Sequence, residues 1–534
     1  MTKGLESRWT VEPFHDGSAD DVARLRELFI RVGYEETPLL ARAEVDSIHH
    51  FPLQSARTVF RDVTDAQSLF VHLFLDGAEV PWETVREVLP AADLRTLEAL
   101  AFLHSPPSQP DVCRSTVSIF PMQELLVVAD RRFSFDSTES RPPADLVYSP
   151  VTTESQRFLR LMPREPRENV LDLCTGTGIA ALVAATSGGT VTAVDIAERS
   201  VRFAAFNARL NGLRNVRAAT GDLYEPVAGE TFDLIVAHPP YVPSLETEYV
   251  FRDGGQDGEQ VTRRILAGLA VHLRPGGQFF CDCMLTERHD LPLEERVREM
   301  LGDSSDEFDV VVAQGRSLDP LHFFADQARL GFAPFERLGR WNEIIRSLAI
   351  EQLVFVSMLL QRRETPRPVV TTRRVLSPFT SAADMQWVLR WMQGTAGWDA
   401  TETRRLLGSR PRTLPRTELR SRSLLQDGQW SIDECTLITL APFAVEASCP
   451  LWYATLLQFC DGSMTVRDHL QYLRDTRAVP DSAPEDVFAM MIRQLVDAGL
   501  IEIEEFRLPD ATAMRETVGV RDRVTDSPPV ERAD

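Results

Sequence analysis

The chain predicts an α/β fold built on an open, mainly parallel sheet with helices between its strands. Three observations carry that expectation. The apolar run 170–173 (Val-Leu-Asp-Leu) delivers a glycine turn, Thr175-Gly176-Thr177-Gly178, and a helix-forming stretch at 179–186 follows at once. A second apolar run, 190–196, contains Asp195 about twenty positions beyond the turn. Two more runs, 216–220 and 232–238, close on Gly221-Asp222-Leu223 and on His238-Pro239-Pro240-Tyr241. Strand-like runs separated by helical stretches make βαβ units, which pair in parallel.

Each element has its own reason. The first run reads as a buried strand, and the glycines after it let backbone N–H groups approach a ligand at the positive end of a helix. Gly176-Thr-Gly178-Ile-Ala-Ala181 also fits the Gly-x-Gly-x-x-Ala form of dinucleotide sites, so the turn alone leaves NAD open. Asp195 ends the second strand where a carboxylate suits a ribose diol. Asp172, Asp195 and Asp222 fall along one carboxyl edge of the sheet, the edge where open α/β folds bind ligands.

Taken together, Leu171-Asp-Leu-Cys-Thr-Gly-Thr-Gly178, Val194-Asp195, Gly221-Asp222 and the His-Pro-Pro-Tyr tetrad resemble the successive motifs of class I S-adenosylmethionine-dependent methyltransferases. Arg252-Asp-Gly-Gly-Gln-Asp-Gly258 with Thr262-Arg-Arg-Ile265 is similar to the segment after Asn-Pro-Pro-Tyr in glutamine methyltransferases of release factors and ribosomal proteins. Arg274-Pro-Gly-Gly277 before Gln278-Phe-Phe-Cys281 matches the family's turn into its fifth strand. The resemblance covers 147–363. It implies a Rossmann-like seven-stranded sheet, with later strands at 308–313 and 352–360, the last antiparallel. It also implies S-adenosyl-L-methionine as cofactor and S-adenosyl-L-homocysteine as product. Asp172 and the turn residues Cys174, Thr175, Gly176 and Gly178 would hold the methionine part, Asp195 with Ile196 the ribose, and Asp222 with Leu223 the adenine. Cys174 resembles an Asp-Leu-Cys-Thr-Gly variant in which a small residue fits beside the cofactor. The lead-in Tyr148-Ser-Pro-Val-Thr-Thr-Glu154 is similar to an entry segment bordering the substrate pocket of release-factor methyltransferases. Tyr148, Pro150, Pro240, Tyr241 and Arg252 are accordingly expected to meet substrate.

Catalysis is expected at His238, Pro239 and Tyr241, with His238 also beside the cofactor. In the family an Asn, Asp or Ser and the next backbone carbonyl accept hydrogen bonds from a target amine or amide. The aromatic residue packs on the planar group, and the prolines stiffen the loop. His238 departs from that pattern. A neutral imidazole accepts one hydrogen bond, and with an ordinary pKa near about 6.5 it also suits a general base. The alternative is that His238 fills the loop while the Pro239 carbonyl orients substrate.

Composition sets the wider frame. At 534 residues the chain exceeds one core, and 43% hydrophobic residues suffice to fill several. A formal charge of −22 disfavours a phosphate-binding surface, so nucleic acid is a possible but not a favoured partner. No apolar run reaches membrane-spanning length, the start lacks a signal-peptide stretch, and seven cysteines form no regular framework, so a cytoplasmic protein without a membrane partner is expected. Cys281 and Cys283 share one face of a strand without a second ligand pair nearby, which reads as packing, with no metal expected.

Five regions are expected: a helical, winged-helix-like domain at 1–145, the methyltransferase domain at 146–363, an Arg/Pro-rich linker with a short helix at 364–425, a winged-helix-like domain at 426–510, and a disordered tail at 511–534. Trp387 and Trp391, four apart, should pack on that short helix. Asp461-Gly462-x-x-Thr465 with the later Leu-Val-x-x-Gly-Leu pattern resembles small peptide-recognition domains attached to peptide-modifying enzymes; the alternative is a purely structural cap. The function expected first is methyl transfer to a nitrogen or oxygen of a small metabolite or peptide. The alternatives are a protein (glutamine) or RNA methyltransferase that docks a macromolecule through its flanking domains, and a non-catalytic cofactor-binding protein.

Overall fold

The computed structural model describes residues 14–51, 58–106, 109–131, 143–329, 337–414 and 417–507; the expected tail at 511–534 lies outside them. Its centre is a single twisted sheet. Helix α1 (Thr153–Leu161) opens the unit, its first turn closed by the Thr152 hydroxyl accepting from the Ser155 N–H. Strand β1 (Asn169–Leu173), helix α2 (Ile179–Thr186), strand β2 (Thr190–Asp195), helix α3 (Glu198–Leu210), strand β3 (Val216–Thr220) and strand β4 (Phe232–Ala237) follow. Helix α4 (Gln260–His272), strand β5 (Leu273–Arg288), helix α5 (Leu293–Leu301), strand β6 (Phe308–Leu318) and strand β7 (Ile350–Arg362) complete the expected set. Every residue of α2 except its last is buried, because the helix is apolar all round and packs between the sheet and α3.

Beyond β7 comes strand β8 (Thr371–Val375), so the sheet has eight strands in the order β8-β6-β7-β5-β4-β1-β2-β3. Strand β7 runs antiparallel to both neighbours, and β8 pairs in parallel with β6 from Val310↔Thr371 to Gln314↔Val375. The order reverses between β4 and β1, which leaves a crevice at their carboxyl ends.

The eighth strand corrects the expectation of seven, and it comes from the stretch expected to be a linker. Its arginines mark an Arg/Pro-rich linker in the sequence, but in the fold they meet carboxylates. Arg373 bonds Glu287 and lies 3.4 Å from Glu294, and Arg367 bonds the buried Asp309. Arg298 secures the backbone there, donating to the Val370 carbonyl at 2.7 Å. Helix α6 (Ala382–Gly394) then packs rather than dangles. Trp387 and Trp391 are buried, and the Trp387 indole donates to the Phe506 carbonyl at 2.7 Å. The amides of Gln386 and Gln278 exchange hydrogen bonds at 2.8 and 2.9 Å, joining α6 to β5.

On the other side, helix Ala66–Phe70 and its continuation, strand Val80–Pro81, helices Trp82–Val88 and Ala91–Ala99, and strands Leu103–His104 and Val112–Ser115 form a small helical unit. A hairpin of Val117–Met122 with Leu125–Asp130 seats it on α3, where the Asn207 amide bonds both Val128 backbone groups. Phe14, Phe203 and Phe206 close the seam, with ring centroids 4.6 to 5.0 Å apart. The C-terminal unit holds helices Trp452–Phe459, Val466–Asp475 and Glu485–Asp497, and pairs Arg412–Thr413 with Ile501–Glu502. A three-stranded sheet of Thr417–Gln426, Gln429–Thr439 and Val445–Ser448 is inserted in it, a feature absent from the sequence reading. Among the described residues no helix is long and apolar enough to cross a membrane.

Candidate functional site

The crevice between β1 and β4 opens on a cavity of about 760 Å³. All the residues expected at the site line it except Gly178. At the turn the backbone takes left-handed conformations at Cys174 (φ 58°), Gly176 (φ 55°) and Gly178 (φ 82°). A methyl group built on Gly176 meets nothing within 4 Å, so glycine keeps the cavity floor clear where a side chain would fill it. On Gly178 the same group would lie 2.9 Å from the Ala204 Cβ. Gly178 therefore lets α2 approach α3 and does not face the cavity, which corrects its expected contact with cofactor.

The carboxylates anchor this turn. Asp195 accepts the Gly176 and Ala197 N–H groups, each at 2.9 Å. Asp172, 2% exposed, accepts the Ala181 N–H at 3.1 Å and the Thr175 hydroxyl. Burial raises the pKa of both acids, and it pushes Asp172 up to about 7. Asp222 is held by Arg264 at 2.8 Å, and Leu223 beside it is left-handed at φ 52°. Cys174 fits among these acids, its thiol driven well up by burial and by their charges, so it is a neutral wall. Two carboxylates at the ends of β1 and β2 beside a cleared glycine floor suit a cationic, diol-bearing ligand. That donor set fits the sulfonium nucleoside that the sequence resemblance implies.

Further along, β4 runs into the tetrad. The His238 ring stacks between Phe158 (centroids 5.1 Å, 27°) and Tyr241 (5.8 Å, 22°), and Tyr241 meets Phe355 edge-on at 6.0 Å. Burial lowers the His238 pKa, so the ring is neutral. Neither ring nitrogen has a hydrogen-bond partner among the described residues, and Nε2 is sealed from solvent. A buried polar atom without a partner is costly unless a ligand supplies one.

The segment 252–259 explains how the tetrad keeps its shape. A methyl group on Gly254 would lie 2.8 Å from the Pro240 carbonyl oxygen, and one on Gly258 would lie 2.4 Å from that of Tyr241. Only glycine permits that approach. The fully buried Glu259 then ties the loop to β5, accepting from the Thr286 N–H at 2.6 Å and hydroxyl at 2.7 Å and pairing with Arg296. Arg252 lines the cavity, while its guanidinium binds Asp253 at 2.8 Å and also bonds Gln327. Tyr148, 47% exposed, stacks on Phe251 at 5.3 Å on the cavity rim, and Pro150 lies buried beneath. Cys281 and Cys283 are both buried in the core behind β5.

Sequence reasoning missed Phe158, Phe355 and Glu259, and it quoted Glu154 in the lead-in without giving it a role. Phe158 and Phe355 are distant in sequence and meet the tetrad only through the fold. Glu154 and Phe158 stand four apart on α1, a spacing that could have flagged one shared face.

A family model for the methyltransferase small domain matches residues 148–308. A ribosomal protein uL3 glutamine methyltransferase of Bradyrhizobium diazoefficiens is 40% identical over 22% of this chain and 40% of that one. A release factor glutamine methyltransferase of Gloeobacter violaceus is 37% identical over 20% of this chain and 43% of its own. The chain thus spans about two fifths of the length of these relatives. For a putative protein N5-glutamine methyltransferase of Methanocaldococcus jannaschii the identity is 33%, over 24% of this chain and 68% of that one. These relatives overturn the expectation of a small-molecule or peptide acceptor: the first two are named for ribosomal protein uL3 and a release factor, which are whole proteins.

Proposed function

Since the chain belongs to the S-adenosylmethionine-dependent methyltransferases of the small-domain family, we propose that it methylates a side-chain nitrogen of a protein, with a glutamine amide as acceptor. One observation carries this reading: a neutral imidazole without a partner stands between two aromatic rings in the same cavity as Asp172 and Asp195. The Nδ1 of that ring, unlike the sealed Nε2, can accept an amide N–H, as the Asn of related tetrads does. The Pro239 carbonyl offers a second acceptor, and the face of Tyr241 packs on the planar amide. Asp195 would hold the ribose hydroxyls, Asp172 and the Gly176 floor the methionine end, and Asp222 with Leu223 the adenine. The cofactor supplies an electrophilic methyl group; the protein's part is to hold the nitrogen in line with it and keep water out.

The flanking units support a protein target. After two leading helices, Ala19–Val32 and Glu36–Ala43, residues 66–115 run helix, strand, helix, helix, strand, strand, with the sheet paired Val80–Pro81 to Val112–Ser115 to Leu103–His104, which supports a winged-helix reading. With a net charge of −22 we assign such units to protein docking rather than to RNA. Seven free cysteines support a reducing, cytoplasmic setting. To test this, the protein would be incubated with methyl-labelled S-adenosylmethionine and purified uL3 or release factor, and the products mapped by peptide mass spectrometry. A methylated glutamine that disappears with His238→Ala is expected. Label on RNA and none on protein would refute it.

A further inference from the structure

We propose that Glu154 is a catalytic residue of this site, accepting the proton that the target nitrogen gives up as it is methylated. The inference rests on the methyltransferase reading above and asks what that reading leaves unassigned. An amide nitrogen that exchanges one hydrogen for a methyl group must lose a proton. Its N–H bonding pair stays on nitrogen, the carbon–sulfur pair leaves with sulfur, and the proton needs a base.

The cavity offers few. Asp172 and Asp195 are tied to the glycine turn, Asp222 to Arg264, and Asp253 to Arg252. The Pro239 carbonyl takes no proton, and burial disfavours the charged form of His238. Glu154 remains. It lines the same cavity, is half-buried, and its carboxylate makes no hydrogen bond or ion pair among the described residues. Helix α1 fixes where it stands. Phe158, one turn later, stacks on His238 at 5.1 Å, so Glu154 occupies the same helix face beside that ring. Between them Arg157 turns away to bond the buried Asp282 at 2.6 Å, which leaves the Glu154 carboxylate uncommitted. His238 and Tyr241 both feel its charge.

Two substitutions and two readouts test the assignment. Glu154→Gln keeps a hydrogen-bond acceptor but takes no proton, and Glu154→Ala removes both. With Glu154→Gln, kcat is expected to fall about 100-fold while calorimetry shows unchanged cofactor affinity. Glu154→Asp should recover part of the rate. Independently of turnover, propionamide, which carries the glutamine side-chain amide, would be titrated into the S-adenosylhomocysteine complex while the His238 imidazole NMR signals are followed. Glu154→Gln should bind this probe like the parent, and Glu154→Ala about tenfold more weakly. A Glu154→Gln enzyme at the parental rate, or a Glu154→Ala protein binding propionamide as tightly as the parent, overturns the proposal. If the parent methylates a nitrogen other than a protein glutamine and its kcat on that acceptor still falls about 100-fold with Glu154→Gln, the glutamine reading falls and this assignment stands.

Discussion

Asp195 accepts two backbone N–H groups and still borders the cavity, so it serves both the turn and a bound ligand. Asp195→Ala is expected to weaken cofactor binding about tenfold or more, a loss of roughly 1.5–3 kcal/mol; unchanged affinity by calorimetric titration would remove it from the ribose site. Asp172 adds a pH dependence whose sign follows from its burial. Its folded-state pKa lies at about 7, above the ordinary 3.8, so the ligand-free protein binds more protons than the unfolded chain and loses stability as pH rises through about 7. A ligand ammonium favours the carboxylate. Cofactor binding should therefore release protons near neutrality and strengthen from about pH 6 to 8, which calorimetry in buffers of different ionisation heats measures. Asp172→Asn should abolish the buffer dependence. For His238 the pKa is shifted down, so the ring is already uncharged and contributes no limb to kcat between about pH 7 and 9. His238→Ala should lower kcat across that range and leave cofactor affinity close to the parent's. A mutant at the parental rate would assign orientation of the acceptor to Pro239 alone.

Two glycines in one turn make opposite predictions, because their surroundings differ. Gly178→Ala forces a methyl group against Ala204 in a left-handed backbone and should destabilise the protein by about 1–3 kcal/mol in urea. Gly176→Ala carries the same left-handed backbone strain but meets open space, so it should destabilise less than Gly178→Ala and add a loss of cofactor affinity. Equal effects on folding and affinity for both would contradict the division. This contrast also marks what a reader of the sequence can see. The turn, Asp195 and the tetrad are local: apolar runs, glycines and prolines within a few residues of one another state their own geometry. Which glycine faces a ligand and which faces a helix depends on α3, and nothing near Gly178 names Ala204. The same holds for β8. Thr-Thr-Arg-Arg-Val reads as part of a linker until Glu287 and Glu294 stand opposite Arg373. Side chains such as Phe158 and Phe355 enter the site through sheet order, which leaves no period along the chain.

Across the whole molecule, the sheet and the C-terminal unit share one packed boundary. Arg160 of α1 donates to the Pro378 and Thr380 carbonyls at 2.7 and 2.6 Å, and Trp391 sits fully buried between α6 and Phe506. Trp391→Ala should cost about 3–5 kcal/mol and lower the melting temperature of sheet and C-terminal unit together; two separate transitions, only one of them shifted, would show that they fold apart. The attachment by β8 matters to anyone who would graft this C-terminal unit onto another enzyme. The seam runs through a ladder of backbone hydrogen bonds and not through a tether, so a cut after Arg363 would strip the ribbon from β6 and bare a row of amides and carbonyls ready to zip onto a neighbouring molecule. A transplant that keeps its solubility must carry that ribbon with it.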